Sequence, residues 1–302
     1  MFIISDEIKS ARELDAPIVA LESTVITHGL PTPQNMELAL AMEEKVRGEG
    51  AVPATVALLD GKIRVGITKE ELEHLAYAKD PVKVSRRDFA KVIVKKLDGG
   101  TTVAGTMLAA QKADIKVFAT GGIGGVHRES YLDISTDLQA LADTPMIVVC
   151  AGAKSILDLP ATLEYLETMA VPVVGYGTDE FPAFFSRKSG LNVSVRLDTP
   201  EEIAAFAKAH WDLGMKSAIL VTNPIPEEHS LEDEFINPII EQASADAQEN
   251  GIHGQALTPF LLARINELSG GRSLKSNLVL LHNNAMLAAK IAKVIQQKQH
   301  QI

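Results

Sequence analysis

Two side chains in this sequence, a glutamate and a lysine, have surroundings that suit acid–base and nucleophilic chemistry. Glu22 follows an apolar run at residues 16–21, and desolvation at the end of a buried strand favours the neutral carboxyl form that donates a proton. Lys154 follows the apolar and small residues 148–153, where desolvation favours the neutral amine that a nucleophile needs. The alternatives are helix capping by Glu22 and a Lys154 ammonium group that reaches water.

Three oxygen-bearing side chains, Asp133, Ser135 and Asp137, alternate along the chain. A spacing of two residues would place all three on one face of an extended segment. Oxygen ligands of this kind suit Mg²⁺ or Mn²⁺ rather than Zn²⁺. The competing interpretation is that Ser135 or Thr136 caps the N-terminus of a helix. The eight histidines are scattered and form no H-E-x-x-H pattern, so a zinc site is not indicated.

A glycine turn and a basic segment could bind an anion. The backbone N–H groups of residues 121–125 could hold a phosphate group, and a tight turn is the alternative. The G-x-G-x-x-G pattern of dinucleotide sites ends here on His127 instead of glycine, which argues against a nicotinamide cofactor. Lys83, Arg86 and Arg87 lie at the expected start of a helix. Positive charge there opposes the helix dipole, which a bound anion would explain, although a solvated basic surface would also fit.

Apolar runs alternate with amphipathic stretches, and this pattern determines how the chemical groups are positioned. Four runs end in small-residue turns that carry polar groups; they lie at residues 116–120, 146–150, 171–174 and 218–221. Continuous apolar strands separated by helices predict a mainly parallel sheet with helices on both faces. Helices are expected in the last part of the chain at residues 232–250, 259–268 and 274–297. We therefore expect one domain, residues 1–302, of the three-layer α/β/α class, with its ligand beyond the carboxyl ends of the strands.

Local signals add two finer predictions. Asp60 and Gly61 separate two apolar stretches and predict a tight hairpin turn, since both residues tolerate positive φ. Thr68 and Glu71 have the spacing of a capping box, which predicts that a helix begins there.

Composition limits the classes of partner. The 302 residues include 29 Lys and Arg against 39 Asp and Glu, which gives a net charge of −10. That charge repels a polymeric nucleic acid but is compatible with a small phosphorylated substrate in a locally basic pocket. The single cysteine, Cys150, cannot form an intrachain disulfide, which fits a reducing compartment. The N-terminal segment is not typical of a signal peptide, and the apolar stretches are shorter than the ~20 residues that span a bilayer, so a soluble cytoplasmic protein is expected.

Segments spread over nearly the whole chain match a known family. They lie at residues 20–31, 83–88, 99–104, 119–128, 133–137, 150–160, 181–187, 223–226 and 273–277. With these segments the sequence closely resembles the pseudouridine-5′-phosphate glycosidase family, also called the indigoidine synthase A-like family.

The resemblance implies an enzyme that reversibly cleaves the C–C glycosidic bond of pseudouridine 5′-phosphate, giving uracil and ribose 5-phosphate through a lysine–ribose imine. It implies a trimer with one divalent ion per subunit, usually Mn²⁺. By the same resemblance, Glu22 would be the proton donor, Lys154 the covalent nucleophile and Asp133 the metal ligand. The residues expected to contact substrate are Lys83, Val103, Ser135, Thr136 and Asp137, with Thr120 and His127 at the phosphate and Asn277 at the uracil.

Two other functions remain open on the sequence. One is an aldolase that acts on another sugar phosphate through an imine on Lys154, which dependence on uracil would distinguish. The other is a non-catalytic regulatory module that binds a phosphosugar, which has no need to place Glu22 and Lys154 together.

Overall fold

The structure is a computed structural model that describes residues 1–128 and 130–299. Within these residues the β-strands are β1 (Phe2–Ile4), β2 (Ile18–Leu21), β3 (Val52–Leu59), β4 (Lys62–Val65), β5 (Val82–Val84), β6 (Gly99–Thr101), β7 (Val117–Ala119), β8 (Val126–His127), β9 (Ser130–Ile134), β10 (Ile147–Cys150), β11 (Leu157–Asp158), β12 (Val173–Tyr176), β13 (Val195–Leu197) and β14 (Ile219–Thr222). The α-helices are α1 (Asp6–Glu13), α2 (Gln34–Gly48), α3 (Lys69–Ala76), α4 (Phe89–Lys95), α5 (Val103–Lys112), α6 (Thr136–Asp143), α7 (Leu159–Thr168), α8 (Pro200–Asp212), α9 (Asp233–Glu249), α10 (Leu257–Leu268) and α11 (Arg272–Gln299).

The central sheet is mainly parallel, as the apolar runs predicted. Its main path runs β1-β4-β3-β2-β7-β10-β14-β12-β13, and every pair from β3–β2 to β12–β13 is parallel. In the middle, Val148 pairs with Phe118 on one side and Leu220 on the other. These strands are completely buried, which is why their sequences are continuously apolar rather than alternating. The three-layer α/β/α prediction is confirmed.

The antiparallel pairing of β3 with β4, next to the edge strand β1, follows from local turn chemistry. β3 and β4 pair in antiparallel register, with Leu59 opposite Lys62. Asp60 and Gly61 both have positive φ, at 48° and 67°, as the hairpin prediction requires. The capping box at Thr68 is also present, because Glu71 N donates to Thr68 Oγ1 and Thr68 N donates to Glu71 Oε2.

The sequence analysis expected no apolar stretch long enough to span a bilayer. The long helix α11 differs from that expectation. Residues Arg272–Gln297 are long and apolar enough, by length and composition alone, to cross a membrane. Half of the most apolar window is buried inside the protein, where α11 packs against α2, α8 and the strands β2, β7 and β10. These contacts account for its apolar character as that of a core helix.

A small antiparallel sheet, in the order β11-β8-β9, carries residues toward the site. One prediction is wrong here: Asp133, Ser135 and Asp137 do not share a face of an extended segment. β9 ends at Ile134, Ser135 is the N-cap of α6 and accepts a hydrogen bond from Asp137 N at 3.2 Å, and Asp137 lies in the first helical turn. The capping alternative is the correct one for Ser135, because the local hydrogen bond ends the extended geometry.

Candidate active site

A cavity of about 400 Å³ lies beyond the carboxyl ends of the central strands. This is the edge at which ligands bind in open parallel sheets. The cavity brings together most of the predicted site residues, which come from many separate parts of the chain. Those that line it are Glu22, Lys83, Val103, His127, Asp133, Ser135, Thr136, Asp137, Lys154 and Asn277.

Glu22 directly follows β2 and is mostly buried. Burial raises the pKa of this carboxyl, and the raising outweighs the opposite effects of the Lys154 ammonium and of a hydrogen bond from Thr120 Oγ1. The negative charge of Asp137 adds to the rise in the pKa of Glu22, while Lys83 lowers it. A carboxyl group in this environment holds a proton at higher pH than an ordinary glutamate, which suits a proton donor.

Lys154 is positioned by a short extension of β10. Its backbone N–H donates to Ile123 O at 3.1 Å, and Ile123 pairs with Ala153 in a parallel bridge. Gly152 is needed in this extension, because it has φ of +89° and a Cβ atom there would lie 2.2 Å from Pro182 O. The extension places Lys154 on the cavity wall, where its charge acts on both Glu22 and Lys83.

The basic side chains after α3 have two different environments. Lys83, on β5, and Arg87 line the cavity, whereas Arg86 forms a two-pronged ion pair with Asp143, at 2.6 and 2.7 Å. Burial and the nearby Lys154 ammonium lower the pKa of Lys83, and Asp137 and Glu22 oppose that change. Two lysines in one cavity therefore repel each other, and an anion between them would relieve that repulsion.

Asp137 holds the cavity wall together through both oxygens of its buried carboxylate. Oδ1 accepts from Ala104 N at 2.9 Å, in the first turn of α5, and Oδ2 accepts from Gly124 N at 2.9 Å in the glycine turn. A Cβ atom on Gly124 would lie 2.2 Å from Ser135 Oγ, so this glycine allows a close approach. Thr136 Oγ1 and Ser85 Oγ share a 2.6 Å hydrogen bond that joins the start of α6 to the end of β5.

The remaining predicted residues come from different elements around the cavity. His127 and Asp133 are on the small sheet, with Asp133 exposed, and Asn277 is on α11. Thr120 differs from the others: it is completely buried, does not line the cavity, and donates its hydroxyl hydrogen to Glu22. Its predicted contact with phosphate remains a prediction.

Thr24 and His28 also line the cavity but were missed as site residues. They belong to the turn after Glu22, which continues as a π-helical segment over Val25–Gly29. Thr24 Oγ1 is buried and makes no hydrogen bond within the described part of the chain. Burial lowers the pKa of His28, with a further contribution from Lys83. The signal that could have identified both was their place directly after a strand-end glutamate.

The side chains near Asp133 limit the kind of metal ion that this cavity could bind. Across residues 1–128 and 130–299, no three His, Cys, Asp or Glu side chains gather in a way that could hold a metal ion. A zinc cage of nitrogen and sulfur ligands does not fit this arrangement. A single exposed carboxylate does fit a hard cation that keeps most of its water, as Mg²⁺ commonly does.

The only cysteine is not a candidate nucleophile. Cys150 lies at the end of β10 and is completely buried. Burial raises the pKa of its thiol to about 12, so the thiol is protonated at neutral pH and lacks the thiolate that reacts.

Comparisons with known proteins agree with the fold and show the family. A family model described as indigoidine synthase A-like protein matches residues 7–294. A pseudouridine-5′-phosphate glycosidase of Caldanaerobacter subterraneus subsp. tengcongensis is 56% identical over 96% of this chain and 95% of its own length. A protein of the same name from Staphylococcus aureus is 51% identical over 97% of this chain and 96% of its own.

Two solved structures share the architecture. The prealnumycin C-glycosynthase AlnA, in complex with ribulose 5-phosphate, superimposes with a TM-score of 0.92 at 40% identity, covering 100% of this chain and 99% of its own. An indigoidine synthase A-like protein from Thermotoga maritima gives a TM-score of 0.90 at 36% identity, covering 98% and 97%. The match to the family model and the identity with these relatives show that the chain belongs to the indigoidine synthase A-like family.

Proposed function

We propose that the protein catalyses the reversible cleavage of the C–C glycosidic bond of pseudouridine 5′-phosphate, with uracil and ribose 5-phosphate as the products. The observation that carries the proposal is the pairing of Glu22 and Lys154 in one cavity, where the charge of Lys154 acts on Glu22. The names of the curated relatives, which align over almost their full length, support the choice of substrate. A regulatory module that only binds a phosphosugar would have no use for this pairing.

The bond to be broken explains why a lysine is needed. Carbon is a poor leaving atom, so direct departure of uracil from a closed sugar is difficult. In the proposed first stage, Glu22 gives its proton to the ring oxygen as the C1′–O4′ bond breaks, and the Lys154 amine forms a bond to C1′. The bound nitrogen next gives up a proton to the Glu22 carboxylate, and its lone pair then forms the protonated imine as the C1′–C5 bond breaks. The electron pair of that bond leaves with uracil C5, which takes up that proton. Water hydrolyses the imine, releasing ribose 5-phosphate and restoring Lys154.

The cavity offers positive charge for a dianionic substrate despite the net charge of −10. Lys83 and Arg87 line it, together with the glycine turn at residues 121–124 and His127. Local contacts of this kind outweigh a distant field that is screened by salt. We assign the phosphate group to this basic side of the cavity and, by resemblance, the uracil ring to the side of Asn277.

We further propose that Asp133 binds one divalent cation, with Mn²⁺ as the expected ion. When bound, the ion would order water and polar substrate groups near the reacting sugar. We also propose a cytoplasmic homotrimer; the absence of a second cysteine for an intrachain disulfide supports the reducing compartment.

A second candidate, an aldolase acting on another sugar phosphate, is favoured by one observation. The similar AlnA structure is a complex with ribulose 5-phosphate, so a protein of the same fold binds a five-carbon sugar phosphate. An aldolase would use the same Lys154 imine but would break a bond within the sugar. Its activity would not depend on uracil.

The test is to mix the protein with Mn²⁺ and pseudouridine 5′-phosphate and to measure uracil and ribose 5-phosphate by chromatography. Equal amounts of the two products are expected, and uracil with ribose 5-phosphate should give back the substrate. Release of smaller sugar fragments without uracil would favour the aldolase. If the protein cleaves neither pseudouridine 5′-phosphate nor a sugar phosphate, the proposed function is wrong.

A further inference from the structure

A chain of buried polar groups leads from the C-terminal helix to Glu22. Asn284, on α11, is completely buried, and its Nδ2 donates to Thr120 O at 2.9 Å and to Gly121 O at 3.4 Å. Asn223, directly after β14, donates from Nδ2 to Asn284 Oδ1 at 3.1 Å. Thr120 in turn donates from Oγ1 to Glu22 Oε1. The connected groups thus come from helix α11 and from the ends of β14, β7 and β2.

The position of Asn284 makes this arrangement informative. Its neighbours on the same helix are buried and apolar: Leu280, Leu281, Ala285 and Ala288. A carboxamide in such surroundings destabilises the fold unless its polar atoms are hydrogen-bonded. Here the amide nitrogen holds two backbone carbonyls and the amide oxygen has its own donor. An apolar side chain could fill the space, so the carboxamide serves to fix the backbone at Thr120 and Gly121.

We propose that Asn223 and Asn284 are positioning residues that hold Thr120 in place. The Thr120 hydroxyl then donates a hydrogen bond to Oε1 of Glu22, so the transferable proton of Glu22 is on Oε2. The inference rests on the proposed function, because it assumes that Glu22 is the proton donor. An ionised carboxylate can only accept a hydrogen bond, so Thr120 must donate to that form. The same donor direction in the neutral form keeps Oε1 as the acceptor and assigns the acidic proton to the other oxygen.

Charged groups around Glu22 set the background for a test by titration. Lys154 beyond β10 and Lys83 on β5 lower the pKa of Glu22, whereas Asp137 on α6 raises it, and His28 lines the same cavity. The hydrogen bond from Thr120 also lowers the pKa of Glu22. Removing that bond, while leaving the charges in place, is therefore expected to raise the pKa further.

The experiment measures Glu22 directly, by ¹³C NMR titration of full-length protein labelled at glutamate Cδ. The signal is assigned by its loss in Glu22→Gln. Thr120→Val and Asn284→Leu should move the midpoint of Glu22 to higher pH, with the larger shift in Thr120→Val. Thr120→Ser, which keeps the hydroxyl, should titrate close to the unsubstituted protein. Asn283→Leu is the matched control, because Asn283 is adjacent on α11 but donates to Pro224 O at 3.3 Å.

Kinetics give a second readout. Asn284→Leu should lower kcat about tenfold, with a smaller change in KM, because a misplaced donor weakens the chemical step more than substrate binding. Its basic pH limb should move in the same direction as the NMR midpoint. Asn283→Leu should leave both kcat and the pH limb unchanged.

Three outcomes separate the possibilities. If Glu22 titrates in Thr120→Val and Asn284→Leu as it does in the unsubstituted protein, the two asparagines are only structural and the inference is wrong. If Asn284→Leu does not fold, Asn223→Ala, which removes the donor to Asn284 Oδ1, must raise the midpoint for the inference to stand. If the midpoints shift but pseudouridine 5′-phosphate is not cleaved, the positioning holds and the proposed function fails.

Discussion

The two ends of the central parallel strands carry charged residues in contrasting states. Before β7, at the amino end, Asp114 and Lys116 form an ion pair at 2.7 Å with about half of each side chain exposed (65% and 43%). After the neighbouring strands β2 and β10, at the carboxyl end, Glu22 and Lys154 lie in a cavity, and burial displaces the pKa of Glu22. Exposed pairs gain little, on the order of 0–1 kcal/mol. The difference between these two pairs places the costlier, buried charges at the carboxyl edge, where the ends of neighbouring strands converge.

The strongest test of this contrast compares two lysines. Lys154→Ala should lower turnover of pseudouridine 5′-phosphate on the order of 10⁴-fold or more, because it removes the proposed nucleophile. Lys116→Ala, at the opposite end of the strands, should leave turnover unchanged. Steady-state assays with circular dichroism of both variants provide the measurement. Normal turnover in Lys154→Ala would remove the nucleophile from the account.

A comparison of two carboxylates, Glu22 in the cavity and Asp114 at the opposite end of the strands, should give the next largest effect. Glu22→Gln keeps the shape but cannot donate an acidic proton, so kcat should fall about 10²- to 10⁴-fold with a smaller change in KM. In the unsubstituted protein, activity should decline as the pH rises through the raised pKa of Glu22, and this limb should vanish in Glu22→Gln. Asp114→Asn should retain both the kcat and the basic pH limb of the unsubstituted protein. An effect of Glu22→Gln on KM alone would indicate a binding role.

Metal removal should give a moderate effect that is specific to the carboxyl edge. A chelator should lower activity, and Mn²⁺ should restore it. Asp133→Asn should need about 10- to 100-fold more Mn²⁺ for the same activity, because it loses the charge of the proposed ligand. Metal titrations of activity and of bound Mn²⁺, with Asp114→Asn as the control, would measure this. Equal Mn²⁺ affinity in Asp133→Asn and the unsubstituted protein would place the metal elsewhere.

Stability should give the smallest effect, with a defined dependence on pH. The raised pKa means that folded Glu22 binds its proton more tightly than unfolded Glu22, so its contribution to stability is lost as pH rises from 4.5 through the folded-state value. Glu22→Gln should therefore raise Tm at higher pH, and this gain should shrink toward acidic pH. Asp114→Asn should change Tm little at any pH. Thermal melts across pH would contradict the account if Glu22→Gln were destabilising at high pH.

The sequence predicted what local and periodic patterns determine. Continuous apolar runs identified the buried strands, such as Ile147–Cys150, and Asp60–Gly61 identified a hairpin. The family and the α/β/α fold were predicted and are confirmed. Glu22 and Lys154 were correctly expected at strand ends, and the structure places both on one cavity.

The parts that the sequence could not predict depend on contacts between distant residues. Asp137 uses its carboxylate for Ala104 and Gly124, 33 and 13 residues away, and nothing in its neighbourhood along the chain indicates these partners. The extended arrangement of Asp133, Ser135 and Asp137 was wrong because the Ser135 cap begins a helix. The contact between Thr120 and Glu22 spans 98 residues and appears only once β2 and β7 pair.

The most direct measurement of the central claim is borohydride trapping of the covalent intermediate. The protein is incubated with Mn²⁺ and ribose 5-phosphate without uracil, reduced, and analysed by intact mass and peptide mapping, with Lys154→Ala and Lys116→Ala in parallel. We expect a single pentose phosphate adduct on Lys154, which disappears in Lys154→Ala and persists in Lys116→Ala. An adduct on a different lysine, or no adduct in protein that still cleaves pseudouridine 5′-phosphate, would contradict it.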